Sequence, residues 1–109
     1  MSGNAKANTP TVATLLMQRG DAQCRIKRTS RTEMTLTVDD GAVPEDDSIR
    51  LAIYHSGSVS GVVRILGEVV NLETSLLETE MTVSFIALHS TGGSSCLRSF
   101  LSEGLGVTL

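Results

Sequence analysis

Met34-Thr35-Leu36-Thr37-Val38 alternates apolar and hydroxyl side chains along five residues. That period belongs to a β-strand with one face turned to a core and the other away from it. Asp39-Asp40-Gly41 breaks the strand, and Pro44, Glu45, Asp46 and Asp47 keep the following loop irregular and acidic. Downstream, Ile49-Arg50-Leu51-Ala52-Ile53 and Met81-Thr82-Val83-Ser84-Phe85 repeat the alternation. Their core faces are Ile49, Leu51 and Ile53, then Met81, Val83 and Phe85. Between them His55-Ser56-Gly57-Ser58 reads as a turn, followed by a long strand from about Val59 to Val70. Gly61 and Gly67 on that strand mark bulges or close packing, and a long, bent strand suits a barrel.

Upstream, Thr11 to Met17 is apolar and β-branched at its start, Gln18-Arg19-Gly20-Asp21 supplies a turn, and Ala22 to Arg28 returns as a strand. Cys24 and Ile26 continue the core parity of Met34, Leu36 and Val38. Residues 1–10 carry no periodic apolar pattern and end at a proline, so they read as a mobile tail before one domain over 11–109. After Phe85, the segment from His89 to Ser95 reads as a loop. Leu97, Phe100, Leu101 and Leu105 then follow helical spacing, with Ser94 or Ser95 as N-cap and Gly104 as the stop. Short strands separated by turns, with no helices between them, indicate an all-β sandwich or barrel closed by a C-terminal helix.

Composition narrows the function classes. The chain has 109 residues, a formal charge of −3, no Trp, and only Tyr54, Phe85 and Phe100 as aromatics. An acidic chain poor in stacking rings argues against a nucleic-acid binder. No stretch approaches the roughly 20 apolar residues that span a bilayer, and the first residues lack the apolar core of a secretory signal. A cytoplasmic location without membrane insertion is expected. Cys24 and Cys96 then read as buried, reduced, small hydrophobes.

Five of the nine basic residues, Arg19, Arg25, Lys27, Arg28 and Arg31, fall within thirteen positions. On one continuous strand Arg25, Lys27 and Arg31 share a face, forming a cationic stripe suited to a protein partner. Arg25 and Arg31 would lie roughly 20 Å apart on a straight strand, too far for one small anion. The plain alternative is a solvated face pairing loosely with the acidic loop. Arg28 and Ser30 have core parity, so Arg28 is expected at a strand end or turn where its charge stays wet.

The order of elements resembles the PilZ domain of bacterial second-messenger signalling. The resemblance is carried by Ile49 to Ile53, the run from Gly61 to Val70, Met81 to Leu88, and Leu97 to Leu101. It implies a six-stranded antiparallel β-barrel with a short C-terminal α-helix. Members that bind cyclic di-GMP share an Arg-x-x-x-Arg motif before the barrel and an Asp/Asn-x-Ser-x-x-Gly motif on an early strand. Guanidinium forks suit phosphate and guanine. Here Arg28-Thr29-Ser30-Arg31-Thr32-Glu33 falls at the second motif, keeping Ser30 but placing Arg for Asp and Glu for Gly. No two arginines are spaced i, i+4, and the tail offers only Lys6.

The resemblance therefore implies a regulatory or interaction module without cofactor, whose cyclic di-GMP site is lost. The alternative is a receptor that binds the dinucleotide through a remodelled site at Arg28, Ser30 and Arg31. Docking of a protein partner would fall to Arg25, Lys27 and Arg31. Self-association is a further expectation, through a barrel edge or the apolar segment Leu105 to Leu109. Catalysis is not expected, because His55, His89, Cys24 and Cys96 match no metal or triad spacing, and both histidines fall in segments read as exposed turn or loop. Gly92-Gly93-Ser94-Ser95 could form an anion nest, but helix capping is the simpler reading. The acidic loop lacks the ligand spacing of a calcium site.

Overall fold

A computed structural model describes residues 10–18, 20–39, 43, 44 and 46–105. Six antiparallel strands close into a barrel in the order β1–β2–β3–β6–β5–β4. They are β1 (Val12–Leu16), β2 (Ala22–Thr29), β3 (Glu33–Val38), β4 (Ser48–His55), β5 (Gly61–Thr74) and β6 (Thr79–Ser90). A helix, α1 (Gly93–Ser99), runs directly into a π-helical turn, Phe100–Gly104. The expected six-stranded antiparallel barrel with a short C-terminal helix holds. The tail before Pro10, Arg19, much of the acidic loop, and the C-terminal segment after Leu105 lie outside the described residues.

The alternation seen in the sequence builds the core. Leu15, Met34, Leu36, Leu51, Ile53, Ile65, Met81 and Val83 are fully buried, each from an inward position of its strand. Each such burial contributes about 1.5–3 kcal/mol, so an aliphatic core suffices without Trp. Cys24 and Cys96 are buried free thiols, as expected. Burial, reinforced by the charge of Asp39, pushes the Cys24 thiol up to about 11.

Three β-bulges correct the simple parity. Between β2 and β3 the register steps at Ile26/Arg28, which leaves Lys27 as the extra residue. Beyond it Arg28 lies opposite Thr35 and is exposed rather than on the core side. On β5 and β6 the steps fall at Leu66/Gly67 and Val69/Asn71, inserting Ile86 and Val70. Phe85, expected on the core face, is therefore only half-buried beside the first step, and Leu88 and Ser90 take the inward positions that follow. Gly67 sits where a Cβ would overlap Val83 Cγ1 and lie 3.0 Å from the Ser84 carbonyl oxygen. That is the close packing its position in the strand implied.

Other boundaries move as well. β5 begins and ends later than expected, and β6 continues through His89, which pairs with Arg64 on a strand rather than lying in a loop. Neither Ser94 nor Ser95 caps α1. Both lie inside it, and Gly92 is the N-cap with no side-chain hydrogen bond. The most buried helical positions are Cys96, Ser99, Phe100 and Gly104, while Leu97 and Leu105 pack on the core's margin.

Candidate functional site

The cationic stripe forms part of an ion-paired cover over β3. In the register Thr37 stands between Arg25 on β2 and Glu80 on β6. Two long pairs cross it: Arg25 Nη2 lies 3.3 Å from Glu78 Oε1, and Lys27 Nζ donates to Glu80 Oε2. Thr35 and Thr37, nominally on the outer face, are buried beneath this layer. Thr37 Oγ1 donates to the Arg25 carbonyl oxygen, and Thr35 Oγ1 meets Thr82 Oγ1 at 3.3 Å. The hydrogen bond from Lys27, joined by the positive charges of Lys27 and Arg28, holds the Glu80 carboxyl below its ordinary range. Among the described residues, the carboxylates that pair with the stripe come from β6 and its approach. Exposed pairs of this kind add little to stability, so their main effect is to occupy Arg25 and Lys27.

Arg31 does not extend the strand, because β2 ends at Thr29 and Ser30-Arg31-Thr32 forms the turn into β3. Ser30 Oγ accepts from the backbone N–H groups of Thr32, at 3.2 Å, and Glu33, at 3.1 Å. Its hydroxyl is thereby committed to shaping the turn. Arg28 and Arg31 flank it, exposed, without an ion pair among the described residues. Among the described residues, Arg25 and Lys27 are thus ion-paired, whereas Arg28 and Arg31 are not.

A second constellation lies where β4 meets the helix. His55 is buried, against the expectation of an exposed turn residue, because it extends the inward parity of Ile49, Leu51 and Ile53 by one more step. That parity was readable in the sequence but was masked by the following Ser-Gly-Ser. His55 Nε2 lies 2.8 Å from Ser99 Oγ, Ser99 Oγ donates to Glu103 Oε2 at 3.1 Å, and Glu103 also accepts from the Ser58 hydroxyl and backbone N–H. These Ser58 bonds lead, with smaller contributions from Ser99 and the charge of His55, in depressing the Glu103 carboxyl. Phe100 meets the imidazole edge-on, with centroids 5.6 Å apart.

The cluster contains the residue types of a hydrolytic triad in a different order. In a triad the carboxylate holds the imidazole through Nδ1. Here Nδ1 is buried and finds no hydrogen-bond partner among the described residues, and the carboxylate meets the serines instead. The arrangement clamps the turn after β4 onto the helix. Among the described residues, no group of three His, Cys, Asp or Glu side chains could hold a metal ion, and no helix is long and apolar enough to cross a membrane.

The opposite end of the barrel differs. β5 and β6 run on beyond the start of β4, where Ser48 pairs with Glu68, and finish in a turn closed by Ser75 N–H donating to the Glu78 carbonyl oxygen. Ser75 Oγ accepts from the N–H groups of Leu77 and Glu78, fixing the turn. Leu76 and Leu77 are held outward with relative exposures of 99% and 91%. Leu72 and Val70 are exposed on the same extension. Sequence reading missed this tip because two leucines between strands carry no turn signal. Where β1 ends and β4 begins, Leu15, Met17, Pro44, Ile49, Arg50 and Leu66 help line a cavity of about 580 Å³. Comparison with protein-family models, curated proteins and solved structures finds no match to this chain.

Proposed function

We propose that this chain is a PilZ-like, non-enzymatic regulatory or interaction module that works through protein contact and independently of cyclic di-GMP. The observation that carries the proposal is the hairpin tip, where Leu76 and Leu77 stand almost wholly exposed on a hydrogen-bonded turn. Exposed apolar side chains gathered on one projection mark contact sites rather than scattered surface chance. Support also comes from the segment that resembles the family's ligand motif. Ser30 serves its own turn, while Arg25 and Lys27 are occupied by Glu78 and Glu80.

A specific observation favours the second reading, a cyclic di-GMP receptor with a remodelled site. Arg28 and Arg31 lie exposed on either side of Ser30, without an ion pair among the described residues. Calorimetric titration of the full chain with the dinucleotide separates the two. No heat of binding is expected. Micromolar binding that disappears in Arg28→Ala would replace the interaction module with the receptor.

A further inference from the structure

β4 pairs with β5 as far as Glu68, and the Asp47 carbonyl oxygen still accepts from the Val69 N–H; beyond this β5 keeps its pairing with β6, through Asn71↔Thr82, Leu72↔Met81, Glu73↔Glu80 and Thr74↔Thr79. The Ser75–Glu78 closure fixes the phase of this ladder. Hydrogen-bonded and non-hydrogen-bonded pairs alternate in an antiparallel ladder, so the N–H and C=O groups of Leu72 and Thr74 point away from β6. Among the described residues, no strand pairs with Val70–Thr74 on the side of β5 turned away from β6. This edge carries none of the lysines or prolines that usually block such an edge.

We infer that a second copy of this chain occupies this edge, the two β5 extensions pairing antiparallel across a two-fold axis at Leu72. This deepens the interaction-module proposal and rests on it. The sequence of the edge matches itself in that register. Leu72 faces Leu72 of the other copy, Val70 faces Thr74, and Asn71 faces Glu73, so no carboxylate meets a carboxylate directly. Asn71 Nδ2 already donates to Glu73 Oε1 within one chain at 3.2 Å, and the same donor–acceptor chemistry is repeated across the axis. Leu72, 45% exposed on the inward side of the ladder, gains an apolar partner.

The register also sets the barrels end to end. The tip bearing Leu76 and Leu77 then reaches the start of the other copy's β4. There Ser48, Ile49, Pro44 and Leu66 line the cavity, and Arg50 supplies a cation toward a hairpin carrying Glu73. Asp46 is the one carboxylate among the cavity's described lining residues.

Sedimentation of the full chain across the micromolar range tests the pairing. A reversible dimer is expected, and Leu72→Lys raises its dissociation constant by roughly tenfold or more, because the ammonium would be buried without a partner. Register is read by cross-linking. Leu72→Cys forms a disulfide-linked dimer on mild oxidation, whereas Glu73→Cys, facing Asn71, links much more slowly. The cross-link decides the matter if Leu72→Lys fails to fold. A chain that stays monomeric, a dimer indifferent to Leu72→Lys, or equal cross-linking at both positions overturns the inference. None of these results would restore cyclic di-GMP binding. Conversely, dinucleotide binding through Arg28 would overturn the module proposal without bearing on the edge.

Discussion

At the helix end, Phe100 enters the core, Gly104 lies against its ring, and His55, Ser58, Ser99 and Glu103 tie the closing segment to the turn after β4. At the hairpin end, β5 and β6 outrun their neighbours, and two leucines project from a turn that hydrogen bonds hold in place. Apolar residues do opposite things at the two ends. Those at the first end lower the free energy of the fold, whereas those at the second contribute little to the isolated chain. The contrast teaches that exposure at the hairpin is not looseness. Ser75 holds the turn through its N–H and its hydroxyl, so the leucines are presented rather than misplaced.

The largest effect should come from Phe100→Ala, which is expected to cost about 3–5 kcal/mol by opening a cavity in the core. Urea unfolding would measure it, and a loss comparable to that of a surface substitution would break the distinction between the ends. A smaller, pH-dependent effect belongs to Glu103. Its carboxyl is depressed below the ordinary value of 4.5, so its contribution is complete above that pH and is lost as pH falls through the lowered value. Unfolding followed across acid pH should show a shallower decline in Glu103→Gln than in the unaltered chain. The decline should persist in part, because Glu80 is shifted in the same direction. The smallest change is expected at the tip, where Leu76→Ser with Leu77→Ser should alter the monomer's stability by no more than about 0.5 kcal/mol. Thermal melts under dilute conditions would sharpen the contrast, since a large loss would mean that the tip supports the fold.

The fold was legible where a strand kept strict alternation. Ile49 to His55 is the clearest case, and its parity even extended to the buried imidazole. Gly61 and Gly67 were readable as close-packing positions for the same reason, since a glycine within an alternating run has a steric purpose. A Cβ on Gly61 would fall 2.9 Å from Cys96 Sγ. The register step at Gly67 was thus foreshadowed, but the residues that each bulge inserts were not. Lys27, Val70 and Ile86 are ordinary strand residues, and only the pairing with a neighbour reveals each as supernumerary. The sites depended on those long-range pairings. Arg25 finds Glu78 and Lys27 finds Glu80 across an intervening strand, fifty-three residues away in each case, a relation no local spacing encodes. Ser99 and Glu103 were one helical turn apart, but nothing in that spacing pointed to His55.

The five-residue strand β1 also determines how the barrel opens. It meets β4 through only three residue pairs, Thr14↔Ala52, Leu15↔Leu51 and Leu16↔Arg50, whereas β5 and β6 share eleven. That short seam is the latch of the closed sheet. Breaking it leaves the other strands in one continuous ribbon, β2–β3–β6–β5–β4, so opening there disturbs the least structure. Amides of β1 should accordingly exchange with solvent before those of β3 and β6. The barrel would behave as a sheet of five strands fastened by a sixth.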